Sequence, residues 1–385
     1  MPRLFALALT AAGGWYALVL AQTIAAPRIW DDAALADWAT PVAGLNVRPA
    51  HYSSAEYYAS PADNLKTYPV YHPDREPSGY WESLQTTKPE PLVDPAVKRT
   101  RADWIAAGSV AFREIDLAYI RTADPALVAQ ARDRANFKNA FTFPDGSIVG
   151  LRWVVTDNGV MLGGRACAAC HIDHRADGSA VIGGPSGTPR PAGTLPFAPG
   201  GLPLVAAVGT AHRLRQFYTG DNIPTAYWRE FTVPWAPDER IERTRTLTGP
   251  ELQKLNAASD IGRSFGDGVF ARTSGSPYAV AKILDLQNLK YSRYMDATGT
   301  HRLRGPEDVA RYAALVTGGD KLEYGPHKIL APAQQKLRSH YADEVLYAIG
   351  VYLLSLEPPK NPSPPPAAQV ARGKQLFAEL RCGRE

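Results

Sequence analysis

The chain has 385 residues, 45% hydrophobic and 21% charged, a balance that supports at least one sizeable buried core and sets two domains as the expectation. Its net charge of +4 is spread rather than clustered, which argues against nucleic acid and against a polybasic membrane patch as partners. Three cysteines make no even framework, so a disulfide-stapled fold is not expected.

The N-terminus reads Met1-Pro2-Arg3, then an apolar run from Leu4 to Ala21, with no further charge until Arg28. One basic residue, a hydrophobic stretch and the small-residue site Val19-Leu20-Ala21 have the layout of a secretory signal. The run is about 18 residues, just enough to span a bilayer, so an uncleaved anchor is the alternative reading of residues 1–26. Gly13-Gly14 weakens a helix there and favours cleavage or a loose anchor. Either route puts the bulk of the chain in the periplasm or outside the cell, with any membrane attachment made through this segment.

Residues 27–100 are rich in Tyr, Pro and Ala without a sustained period. Pro61, Pro69, Pro73, Pro77, Pro89, Pro91 and Pro95 forbid long helices, which predicts an extended wrapping segment. A helix is predicted over Arg101 to Asp116, where Trp104, Ile105, Gly108, Val110, Ala111, Phe112 and Ile115 give an apolar face at helical spacing. Pro144-Asp145-Gly146, followed by the apolar run from Ile148 to Val155, predicts a hairpin or short strands.

That pattern leads into Cys167-Ala168-Ala169-Cys170-His171. C-x-x-C-H is the attachment sequence of a c-type haem: each thiol can join one vinyl group, and the adjacent imidazole becomes the fifth ligand of the iron. Two intervening residues let both sulfurs reach from one turn of backbone, and the small Ala168 and Ala169 leave the porphyrin face clear. Two rivals fit less well. A thioredoxin-like C-x-x-C should open a helix, yet residues 171–178 run into polar loop sequence. Zinc could take Cys167, Cys170 and His174, but no second C-x-x-C or H-x-x-H pair completes the set.

Residues 178–275 read as loop. Within them Phe217, Tyr218, Tyr227, Trp228, Phe231 and Trp235 form an aromatic belt, either a satellite core or the wall of a haem edge or substrate pocket. Pro306 and Gly318-Gly319 frame a helix with Val309, Tyr312, Ala313 and Val316 on one face. A last long helix is predicted from about Pro332 to Leu356, with Leu337, Tyr341, Val345, Leu346, Ile349, Leu353 and Leu356 on its buried side. Residues 357–369 are a Pro-rich spacer, and residues 370–385 begin a new amphipathic helix.

Three segments carry a resemblance. Trp104 to Phe112 resembles the opening helix of a cytochrome c domain, Tyr347 to Leu356 its closing helix, and Ala371 to Phe377 the opening helix of a second such domain. The chain, over roughly residues 100 to 382, is similar to bacterial c-type cytochromes with tandem domains, of the dihaem cytochrome c peroxidase and rubber-oxygenase type; Tyr294 to Gly305 adds to the likeness. The resemblance implies a mainly α fold. Residues 101–356 would be a cytochrome c-like helical haem domain with long loop insertions and few short strands, its two terminal helices crossing at the haem edge. Cys382-Gly383-Arg384 is followed by Glu385 where Cys-His would complete a second haem sequence. One covalently bound haem c is therefore expected, with a second not possible as the chain stands.

The function expected is electron transfer by an exported c-type cytochrome, with a redox partner protein or a quinone-linked donor, and His171 as the proximal iron ligand. For the distal side, Met161 lies too near Cys167, so Met295 is the better sulfur candidate, with core filling as its other reading. His301, His212, His327 and His340 are the imidazole candidates. A haem peroxidase or oxygenase with an open sixth position is the second reading, and a secreted non-haem protein with zinc at Cys167 and Cys170 the third.

Overall fold

Residues 23–41, 46–118, 121–137, 142, 145–164, 166–174, 180–184, 285–295, 299–321, 323–325, 327–328, 336–358 and 363–380 are described by the structure, a computed structural model. The apolar segment 4–21, His212, the aromatic belt 217–235 and Cys382 lie outside the described residues, as do the side chains of Cys170, His174 and His327.

The proline-rich N-terminal stretch folds into short elements, each begun by a local cap. Helix α1 (Asp32–Trp38) starts where the Asp31 carboxylate accepts the Ala34 N–H, at 3.0 Å. After strand β1 (Pro49–Ala50), helix α2 (Ser54–Ala59) starts in a reciprocal capping box between Ser53 and Glu56. Strands β2 (Ala62–Asp63) and β3 (Thr67–Tyr71) and helix α3 (Tyr80–Thr86) complete the stretch. Its large side chains do more than cover: Ile29, Trp30, Trp38 and Tyr57 are fully buried in the main core.

Helix α4 (Arg101–Glu114) opens with a Thr100–Asp103 capping box and buries Trp104, Gly108, Ala111 and Phe112, the helical spacing that defined it. Helix α5 (Pro125–Gln130) is followed by a hairpin of β4 (Ser147–Thr156) and β5 (Gly159–Gly164), and β3 adds to the free edge of β4. Asp145 accepts the Ser147 N–H at the entry, and Gly146 supplies the positive φ of 83° that the turn needs. This sheet closes a second core of Val70, Leu84, Ile148, Leu151, Trp153 and Leu162.

Next come the one-turn helix α6 (Cys167–His171) and the paired strands β6 (Ile172–His174) and β7 (Ala180–Ile182). Strands β8 (Tyr294–Met295) and β9 (His301–Arg302) form a small antiparallel hairpin. Helix α7 (Pro306–Ala314) follows, Pro306 at its first turn as expected, and the chain leaves it at Gly318, φ 116°. Strands β10 (Glu323–Tyr324) and β11 (His327–Lys328) join β1, while β12 (His340–Tyr341) pairs in parallel with β2. Helix α8 (Asp343–Ser355) is buried almost all round, and α9 (Ala367–Glu379) is exposed along its length.

The mainly α, cytochrome c-like fold class expected from the sequence is corrected here. Twelve strands in five small sheets accompany the helices among the described residues, and one of the pairings is parallel. Two-residue strands that find partners hundreds of positions away leave no period-2 pattern to read. The long last helix is also shorter than expected, because His340–Tyr341 is drawn off to pair with Ala62–Asp63 and Ala342 is extended, with ψ 145°.

Helix α8 is the centre of the main core, held between α4 and α7. Two glycines let the backbones touch. A Cβ on Gly108 would lie 1.9 Å from the Ala348 carbonyl oxygen, and one on Gly350 would lie 2.3 Å from that of Pro306. Trp104 meets Tyr347 edge-on at 5.2 Å beside the first contact.

Candidate haem-attachment site

The C-A-A-C-H run is a single turn of helix standing at the end of β5, packed against α4 and β4. Positions i, i+3 and i+4 of a helix share a face, so the turn brings Cys167, Cys170 and His171 to one side of the backbone. Cys167 and His171 are half-buried. Ala168, between the two cysteines, is 4% exposed and turns inward with Ala166 and Ile172 into the main core.

Backbone bonds fasten the turn at both ends. The Ala166 N–H donates to Ile115 O and the Leu117 N–H to Gly164 O, each at 2.9 Å, so the entry lies along the end of α4. At the exit the Gly183 N–H donates to His171 O at 2.8 Å, and the Leu286 N–H donates to Gly183 O at 2.8 Å. The turn is thus held by the end of α4, by the hairpin and by the chain at Gly183 and Leu286. Two cysteines one turn apart with a histidine at the next position are the donor set that a covalent haem would require.

Beside the entry lies a buried ionic cluster that sequence reasoning missed. Arg121 makes a two-pronged contact with Asp116, both bonds 2.7 Å, and reaches Asp63 at 2.7 Å. Asp116 is 1% exposed, and Gly163 leaves the room its carboxylate fills, since a Cβ there would be 2.7 Å from Oδ2. The Tyr341 hydroxyl donates to Asp116 O and accepts the Ala118 N–H. Burial raises the Asp63 pKa even with Arg121 pulling the other way, and the two carboxylates hold the guanidinium charged against its own burial. The available clue was an acidic residue closing an apolar helix where a buried position was due.

The distal candidates are distributed over the fold. Met295 is 3% exposed, a member of the main core, and stands across the β8–β9 hairpin from His301. His301 engages both ring nitrogens within the protein, Nε2 with His51 at 3.0 Å and Nδ1 with Thr300 Oγ1 at 3.1 Å. His340 Nδ1 lies 2.8 Å from Ser60 Oγ under Tyr57, and burial lowers its pKa. Among the described residues no three His, Cys, Asp or Glu converge as a metal-binding group, and no helix is long and apolar enough to cross a membrane. No protein-family description, no curated protein and no solved structure matches the chain.

Proposed function

We propose that this chain is an exported c-type cytochrome that holds one haem through Cys167 and Cys170, binds its iron with His171, and passes electrons to or from a redox partner protein or quinone-linked donor. The observation that carries this is the C-A-A-C-H sequence folded as one helical turn, tied at both ends and set at the edge of the main core. When bound, the haem supplies a ferric–ferrous couple. The protein's own part is positional. The bond from Gly183 to the His171 carbonyl fixes the turn that carries the imidazole, and Ala168 anchors that turn in the main core. The half-buried setting removes one side of the site from water, which is a lever on reduction potential.

Replacing Cys167 and Cys170 together with serine should abolish haem staining on a denaturing gel and the pyridine haemochrome spectrum of the exported protein. Stain retained by the double variant overturns the proposal. Expression without residues 1–22 should likewise give no covalent product.

For Met295 the reading supported by its burial is core packing. Met295→Ala should cost about 2–5 kcal/mol in denaturant unfolding, the usual range for emptying a buried methionine site, while the absorption bands of the haem-loaded protein stay in place. A change in those bands in the variant would instead assign its sulfur to the iron.

A further inference from the structure

The β4–β5 hairpin turns through Asp157-Asn158, with Thr156 at the end of one strand paired with Gly159 at the start of the other. Asn158-Gly159 is the only asparagine–glycine step in the chain. Gly159 has a φ of 108°, a conformation that a side chain would strain. Residues 157 to 159 are all exposed, and a Cβ built on Gly159 would meet no atom within 4 Å. The Thr156 hydroxyl braces the turn: its oxygen accepts the Asn158 N–H at 3.2 Å, and it donates to Gly159 O at 2.9 Å. The brace uses the backbone of Asn158 and leaves its carboxamide without a hydrogen bond among the described residues. Other asparagines are held. The Asn64 carboxamide accepts the Val93 N–H at 3.0 Å and donates to Val93 O at 2.7 Å and to Glu344 at 2.8 Å, and that of Asn288 donates to Asp285 at 3.1 Å.

We propose that Asn158 is a modification site, converted without an enzyme to aspartyl and isoaspartyl forms through a succinimide closed by the Gly159 backbone nitrogen. Hydroxide removes the Gly159 amide proton, and the nitrogen attacks Cγ of Asn158. As the new N–Cγ bond closes the ring, the Cγ–Nδ2 bond breaks, and Nδ2 takes a proton from water and leaves as ammonia. Water then adds to one of the two ring carbonyls. Breaking the N–Cγ bond gives an ordinary aspartate; breaking the bond to the α-carbonyl instead leaves the main chain running through Cβ and Cγ. No oxidant or reductant enters.

Three features of the turn favour the step. Nucleophile and electrophile belong to adjacent residues, so the attack is intramolecular. Glycine puts no side chain beside the attacking nitrogen, and the unbonded carboxamide can swing onto it, whereas Asn64 would first have to break its three bonds. Either product places a second negative charge beside Asp157. The isoaspartyl form also adds one atom to the main chain between Asp157 and Gly159, so the pairing of Thr156 with Gly159 must shift. Val155 and Leu162, members of the second core, lie close along the same two strands.

The test incubates the full folded chain near pH 8 and maps its peptides at intervals. The peptide carrying Asn158 should lose its carboxamide, with OH replacing NH2 in its mass, and should separate into aspartyl and isoaspartyl forms, while Asn64 and Asn288 in the same sample keep theirs. The rate should rise with pH, because hydroxide removes the Gly159 proton. Asn158→Gln, whose longer side chain closes a larger ring only slowly, should stay unmodified. An Asn158 that persists as long as Asn64 and Asn288 overturns the proposal. So does aspartate at position 158 with no isoaspartyl form, because that product comes from direct hydrolysis of the side chain without a ring.

Discussion

Gly108→Ala is expected to destabilise the chain by about 3 kcal/mol or more, at or beyond the upper end of what added methyl groups cost in packed interiors. The new Cβ has no flexible neighbour to displace. It meets the Ala348 carbonyl oxygen at 1.9 Å and the Tyr352 Cβ at 2.6 Å, so α4 and α8 must move apart as whole helices, taking Trp104, Phe112, Tyr347 and Tyr352 out of contact. Denaturant midpoints would measure the loss, with Val110→Ala on the exposed side of α4 as a control within about 0.5 kcal/mol of wild type. A Gly108→Ala protein as stable as wild type would show that the helix backbones do not touch.

That contact was half legible from the sequence. The apolar spacing of Trp104, Ala111 and Phe112 marked α4, and the run from Val345 to Leu353 marked α8, because a helix that buries a stripe repeats its apolar residues every three to four positions. The β4–β5 hairpin was legible for a similar reason, a turn residue set followed by a β-branched run. What was not legible depends on distant partners. Nothing local says that His340 and Tyr341 pair with Ala62 and Asp63, so the sequence reads them as helix, and with them went the mainly α fold class. The short helices between Asp32 and Ala59 did leave marks, Asp31 and the Ser53–Glu56 box, which the proline pattern obscured. At the site, the sequence marked the five residues Cys167 to His171, which fold as one turn of helix. The Arg121 cluster beside them was not marked, because Asp63, Asp116 and Arg121 come together only in the folded chain.

Arg121→Met should be the second severe change, costing about 3–5 kcal/mol near neutral pH because it leaves two buried carboxylates without their counter-charge. The side chains of Asp63 and Asp116 are 9% and 1% exposed, so water cannot replace the guanidinium. The sign with pH follows from Asp63, whose folded-state pKa already lies above its ordinary value through burial. Removing Arg121 removes the pull that opposed that rise. A raised folded-state pKa stabilises the fold below the unfolded value, and that stabilisation is lost as pH rises through the folded one. The variant should therefore recover part of its deficit between pH 7 and pH 5, read as a narrowing gap in urea midpoints. A deficit that widens on acidification would show that the carboxylates are not the cause.

The glycine contacts on both sides of α8 bear on the order of events during synthesis. Helix α4 and the C-A-A-C-H turn are made long before the residues of α8. Until Asp343–Ser355 arrives, α4 has no backbone to rest on at Gly108 and α7 none at Pro306. Contacts between residues this far apart carry a closure cost that is met late. The arrival of α8 ends the interval, so the main core closes around the C-A-A-C-H turn only after all the residues between them have been made.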